Sequence, residues 1–105
     1  MLEGKFKTEF RHDLETLLPG CIILKNDPNY IQGIPDMLIL YGKRWAALEF
    51  KKEGNSKRQP NQPWYVEVMN NMSYAAFVHP GNREEILNEV EQALRPRRTT
   101  RVPRT

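Results

Sequence analysis

Apolar side chains in residues 4–18 recur as Phe6, Phe10, Leu14, Leu17 and Leu18. This i, i+4, i+8, i+11 spacing lines one face of an amphipathic helix, and Pro19-Gly20 stops it. CIIL at 21–24 is a short apolar run that predicts a strand. Residues 25–35, with Pro, Gly and Asn, read as a loop. Within 36–52, two apolar runs flank Gly42-Lys43, which predicts a hairpin with a two-residue type II′ turn. Residues 53–63 form a polar loop. Trp64–Met72 then predicts a helix, with Pro63 tolerated in its first turn. YAAFV at 74–78 reads as a buried strand, and His79-Pro80-Gly81 breaks the chain. Asn82 followed by Glu85 has capping-box spacing, and Ile86, Leu87, Val90 and Leu94 give the last helix its apolar stripe. The 36–52 segment is apolar on both faces and requires cover on both. The expectation is a small three-layer α/β domain.

Length and charge narrow the reading. A chain of 105 residues holds one domain with a single modest core. No apolar run reaches the roughly 18 residues of a membrane span, and MLEGKFKTEFRHDLE lacks a signal-peptide core. The expected protein is therefore intracellular and has no membrane partner. Cys21 alone can make neither an internal disulfide nor a Cys-rich zinc site. The net charge of +3 is unevenly spread: residues 95–105 carry five arginines and no acid, leaving eleven basic against thirteen acidic residues in the body. The expected organisation is a folded domain over 1–94 and a basic tail over 95–105. Such a tail suits a nucleic-acid arm that displaces counterions from phosphate, or equally a solvated end.

The hairpin carries the candidate chemistry. With Gly42-Lys43 as the turn, Tyr41 pairs with Arg44 and Asp36 falls opposite Glu49. Facing residues in such a pair have Cβ atoms about 4.5–5.5 Å apart. Lys51, two residues after Glu49, projects from the same face. Two adjacent carboxylates in a partly buried setting require a proton or a cation between them. A hard divalent ion held by one or two carboxylates, with an ammonium alongside, suits attack of water on a phosphodiester. Taken singly, an Asp after Pro can merely open a strand, and a Glu with a Lys two residues on can be a solvated face. The pointer is their combination in register.

Gly33-Ile34-Pro35-Asp36 followed by Glu49-Phe50-Lys51 resembles the signature of the PD-(D/E)XK nucleases. The shortness of the chain and its later Gln resemble the VRR-Nuc branch, which includes small phage-encoded enzymes. The resemblance covers residues 6–80. It implies an α/β fold with a restriction-endonuclease-like αβββαβ core, a mixed central sheet flanked by helices. It also implies Mg²⁺- or Mn²⁺-dependent DNA hydrolysis, with Asp36, Glu49 and the Phe50 backbone carbonyl as metal ligands and Lys51 as the catalytic lysine. Family members often add a Glu from the first helix, for which Glu9 is the candidate. They also carry a Gln at the start of the helix after the E-x-K strand, here Gln62, with Gln59 second. Gln59 stands where the family often has Ser.

Lys25 in the loop entering the motif, Lys52, Lys57 and Arg58 after it, and Arg97 and Arg98 in the tail are the candidate DNA contacts. Trp45 and Trp64 are expected in the core or an interface, Cys21 as a small buried hydrophobe, and His12 and His79 as structural or surface residues. The resulting expectation is a metal-dependent endonuclease acting on DNA structure, such as a branch or Holliday junction, as a homodimer. Two rivals stand beside it. One is a non-catalytic DNA-binding protein with a nuclease-like fold. The other is a basic-tailed structural protein of a nucleoprotein particle.

Overall fold

The computed structural model describes residues 3–54 and 61–95. The first apolar stripe forms α1 (Glu3–Leu17), followed by β1 (Ile22–Lys25), β2 (Met37–Tyr41), β3 (Arg44–Phe50), α2 (Gln62–Met72), β4 (Tyr74–Val78), a 3₁₀ turn (Pro80–Asn82) and α3 (Arg83–Leu94). The strands make one mixed sheet in the order β1-β2-β3-β4. The first three are antiparallel neighbours, and β4 runs parallel to β3 after the α2 crossover. This is a mixed α/β fold with a four-stranded sheet and three helices. Among the described residues, no helix is long and apolar enough to cross a membrane.

The hairpin register is the one the turn dictates. Tyr41 pairs with Arg44, and the ladder continues to Met37–Leu48. Gly42 sits at φ +62° and Lys43 has no positive φ, the combination that a type II′ turn needs. Alternation along β3 then sends two sets of side chains to opposite faces. Ala46, Leu48 and Phe50 join Phe6, Phe10 and Leu14 of α1, Leu18 just after it, and Ile86, Val90 and Leu94 of α3 in the core. Phe50 meets Phe6 and Phe10 edge-to-face at 5.8 and 5.6 Å between ring centres. The other face, with Glu49, receives α2, whose one buried residue is Gln62.

Cover on that second face is thin toward β1. Ile22 and Leu24 are exposed there, opposite Leu40 and Leu38 of β2. Trp64, expected in a core or interface, is 58% exposed. Cys21 is half-buried against the core and its thiol is pushed up by burial and by Glu15. The capping box expected at Asn82 and Glu85 does not form. Asn82 turns back instead, accepting from the His79 N–H at 2.8 Å and donating to the Phe77 carbonyl at 3.1 Å. With Pro80 opening a 3₁₀ turn here, the Asn82 side chain satisfies the strand end in place of the helix. His79 closes the other half of this device, its Nδ1 accepting from the Gly81 N–H.

Candidate active site

Asp36 lies one residue before β2 begins, at the end of the sheet where β3 runs out. Its carboxylate reaches across and accepts the Phe50 N–H on Oδ2 at 3.0 Å. Glu49 returns the contact, its Oε1 accepting the Asp36 N–H at 3.2 Å. The two carboxylates thus finish the ladder with side chains. A strand residue directs its N–H and C=O toward the same neighbour, so the Phe50 carbonyl also lies on the Asp36 side.

Three further groups converge here. Gln62, the first residue of α2, donates from Nε2 to Glu49 Oε2 at 2.7 Å. Its Oε1 accepts from Lys51 Nζ at 2.7 Å. Lys51 Nζ itself stands 3.9 Å from Glu49 Oε2. The amide orientation follows from its neighbours, because a flipped Gln62 would put NH₂ against an ammonium and oxygen against a carboxylate. The third group is Lys7 of α1, 3.8 Å from Asp36 Oδ2 and 5.4 Å above the Phe50 ring.

Burial and the nearby Asp36 charge push the Glu49 carboxyl up to about 7, while Lys51 and Lys7 pull the other way. A carboxylate with this much proton affinity, beside a second one, is a place where a cation relieves repulsion. Among the described residues there is no group of three or more His, Cys, Asp or Glu suited to a metal. Two carboxylates and a carbonyl nonetheless fit Mg²⁺ or Mn²⁺, because Mg²⁺ keeps several of its waters and takes few protein ligands.

The loop before the site is built to hold it. Asn26 accounts for both sides of the Pro35-Asp36 segment, its N–H donating to the Asp36 carbonyl and its Nδ2 to the Pro35 carbonyl, both at 2.8 Å. Gly33 has φ +93°, and a Cβ there would meet Asn61 Cβ at 2.5 Å. The glycine therefore lets the loop press against the residue that precedes Gln62. Gly33→Ala should cost about 1–3 kcal/mol from the left-handed backbone and the clash. It should also loosen Gln62. Urea unfolding will show a lower midpoint at unchanged slope.

Of the residues expected from sequence, Asp36, Glu49, Phe50, Lys51 and Gln62 come together. Glu9 does not. It is exposed on α1, on the flank it shares with Asp13, which pairs with Arg83 of α3. Two residues span about 200° of helix, so it is Lys7 that α1 presents to Asp36. Lys25 and Lys52 are exposed. Lys57, Arg58, Gln59, Arg97 and Arg98 lie outside the described residues. The motif spacing does not point to Lys7; its position beside Phe6, on the stripe edge away from Asp13, is the signal the sequence carries for it. Comparison with protein-family models, curated proteins and solved structures finds no match to this chain.

Proposed function

We propose that this chain is a Mg²⁺- or Mn²⁺-dependent DNA endonuclease of the PD-(D/E)XK type, with the αβββαβ core of that fold. The observation that carries the reading is the continuous Lys51–Gln62–Glu49 hydrogen-bonded network beside Asp36. Asp36, Glu49 and the Phe50 carbonyl are the groups that would hold the cation. When bound, it supplies charge neutralisation at the phosphate and a more acidic water. Lys51, fixed by Gln62, orients the attacking water and offers its ammonium to the charge that develops on the phosphoryl oxygens. Gln62 bridges Lys51 and Glu49 with one hydrogen bond of 2.7 Å to each, and so sets where the ammonium lies beside the carboxylates. Lys7 balances Asp36 from the opposite side.

The proposal extends to substrate. DNA of a distinctive shape, such as a branch or Holliday junction, is the proposed substrate. Such a two-fold substrate suits a homodimer. The exposed Ile22 and Leu24 on the β1 edge support pairing between copies.

The test is a labelled four-way junction, a matched duplex and a single strand, each with Mg²⁺, Mn²⁺ or EDTA, run with wild type and Asp36→Ala. Metal-dependent cutting that the variant loses is the expected result. Binding without any cutting would instead favour the non-catalytic DNA-binding reading. Deleting residues 96–105 removes four arginines. It is expected to weaken binding and flatten its salt dependence, by about 0.9 in log–log slope per lost phosphate contact, while cutting of short substrates persists. Complete loss of binding on deletion would favour the basic-tailed structural protein.

A further inference from the structure

We infer that the groove between α1 and β1 is a subsite for a backbone phosphate of the DNA, adjoining the carboxylate pair. The groove encloses about 200 Å³ and is lined by Lys7, Arg11, Lys25, Ile23, Met37 and Asp36, with Thr8 beside them. A water's share of volume is about 30 Å³, so a phosphodiester group with some of its hydration fits.

The cations come from two elements. Lys7 and Arg11 are four residues apart and share the α1 flank opposite Glu9. Lys25 ends β1, and its pairing with Met37 sends its side chain to the face that α1 covers. Three positive side chains thus surround a floor of Ile23 and Met37, against the single carboxylate of Asp36. An apolar floor limits screening and strengthens a charge–charge contact. Ion pairs already present leave the cations open to a phosphate. Arg11 stands 3.8 Å from Glu15 with both side chains more than half exposed, a pairing worth little in water. Lys7 is 3.8 Å from Asp36 Oδ2, beyond the hydrogen-bonding range of about 2.7–3.2 Å. Thr8 is not a donor to the groove, because its hydroxyl donates to the Gly4 carbonyl.

Asp36 belongs both to this groove and to the carboxylate pair. A phosphate held here therefore neighbours the one at the carboxylates on the same strand. The groove would fix the direction in which the strand crosses the site. That placement relative to the cut rests on the nuclease reading; the existence of the phosphate subsite does not.

The test uses the full chain in EDTA, where no cutting occurs, and measures binding of duplex and junction DNA against salt. The double variant Arg11→Ala/Lys25→Ala should bind about tenfold more weakly, with a salt slope shallower by about one. Lys43→Ala, which removes one charge at the far end of the hairpin, should bind like wild type. Neutral methylphosphonate linkages, introduced one at a time, should weaken wild-type binding at a particular linkage to which the double variant is indifferent. The inference is overturned if wild type shows no binding, if the double variant stays within twofold of wild type or matches Lys43→Ala, or if linkage and protein effects simply add. Circular dichroism checks that the double variant is folded. If the linkage effect holds but no metal supports cutting by wild type, the subsite stands and the nuclease reading fails.

Discussion

Lys51→Ala is expected to lower single-turnover cleavage by about 10²–10⁴-fold while DNA binding changes by no more than a few fold. The backbone at Lys51 is fixed, because its N–H donates to the Val78 carbonyl at 2.8 Å beyond the last β3–β4 pair. Its side chain is only 12% exposed and its ammonium is anchored on Gln62. One ammonium adds little to affinity for a long polyanion. Held in a low-dielectric position beside the phosphate of the proposed reaction, it would add much more to the transition state. Lys51→Arg should not rescue activity, since a planar guanidinium cannot replace a compact ammonium between Gln62 and substrate. Gln62→Leu should fall between wild type and Lys51→Ala, because it leaves the lysine in place without its bond to Gln62. If Lys51→Ala cuts within tenfold of wild type, the lysine has no part in the reaction.

The site was legible in the sequence where local rules determine position. A two-residue Gly42-Lys43 turn leaves one register, and that register alone brings Asp36 to Glu49. Alternation then places Glu49 and Lys51 on one face and Phe50 on the other. What the pattern could not convey depends on tertiary packing. Nothing local reveals that Gly33 is needed because Asn61 lies against it, or that Asn26 holds Pro35 and Asp36 through two hydrogen bonds. That α1 presents Lys7 to Asp36, with the candidate Glu9 on the other flank, depends on packing in the same way. Both flank the apolar stripe of α1, and which flank meets the sheet end depends on where α3 packs. Arg83 of α3 engages Asp13, so the Glu9 flank faces away from Asp36. The Asn82 cap was misread because a proline-led 3₁₀ turn offered its side chain a closer donor, the His79 N–H. The expected pair of carboxylates on one face also needed refinement. Asp36 lies beyond the end of the ladder, so its carboxylate curls into the sheet plane toward the Phe50 N–H and toward Lys7.

Glu49→Gln should abolish most cleavage and yet stabilise the metal-free protein at pH 8 by about 2 kcal/mol. The Glu49 carboxyl is raised to about 7 from an ordinary value of 4.5, by burial first and by Asp36 second. A raised carboxyl pKa means that the folded state favours the protonated form. Below pH 4.5 both states hold the proton and there is no penalty. Between 4.5 and about 7 the unfolded chain releases its proton first, so stability falls as pH rises, and above 7 the penalty is complete. A shift of this size corresponds to roughly 3 kcal/mol at 1.36 kcal/mol per unit. The glutamine loses part of that gain. With its oxygen accepting from Gln62, its NH₂ faces the Asp36 N–H, and one hydrogen bond worth about 1 kcal/mol is lost. Urea unfolding from pH 5 to 8 should therefore show a falling midpoint in wild type and a flatter one in the variant. Mg²⁺ should restore wild-type stability at pH 8, since a ligand that binds only the folded state stabilises it, and should leave Glu49→Gln nearly unchanged. Equal pH slopes in the two proteins would show that Glu49 does not carry the penalty. Equal responses to Mg²⁺ would show that the ion binds elsewhere. In the proposed nuclease the same carboxylate would weaken the fold and equip the site, the exchange expected where a buried charge is kept for chemistry.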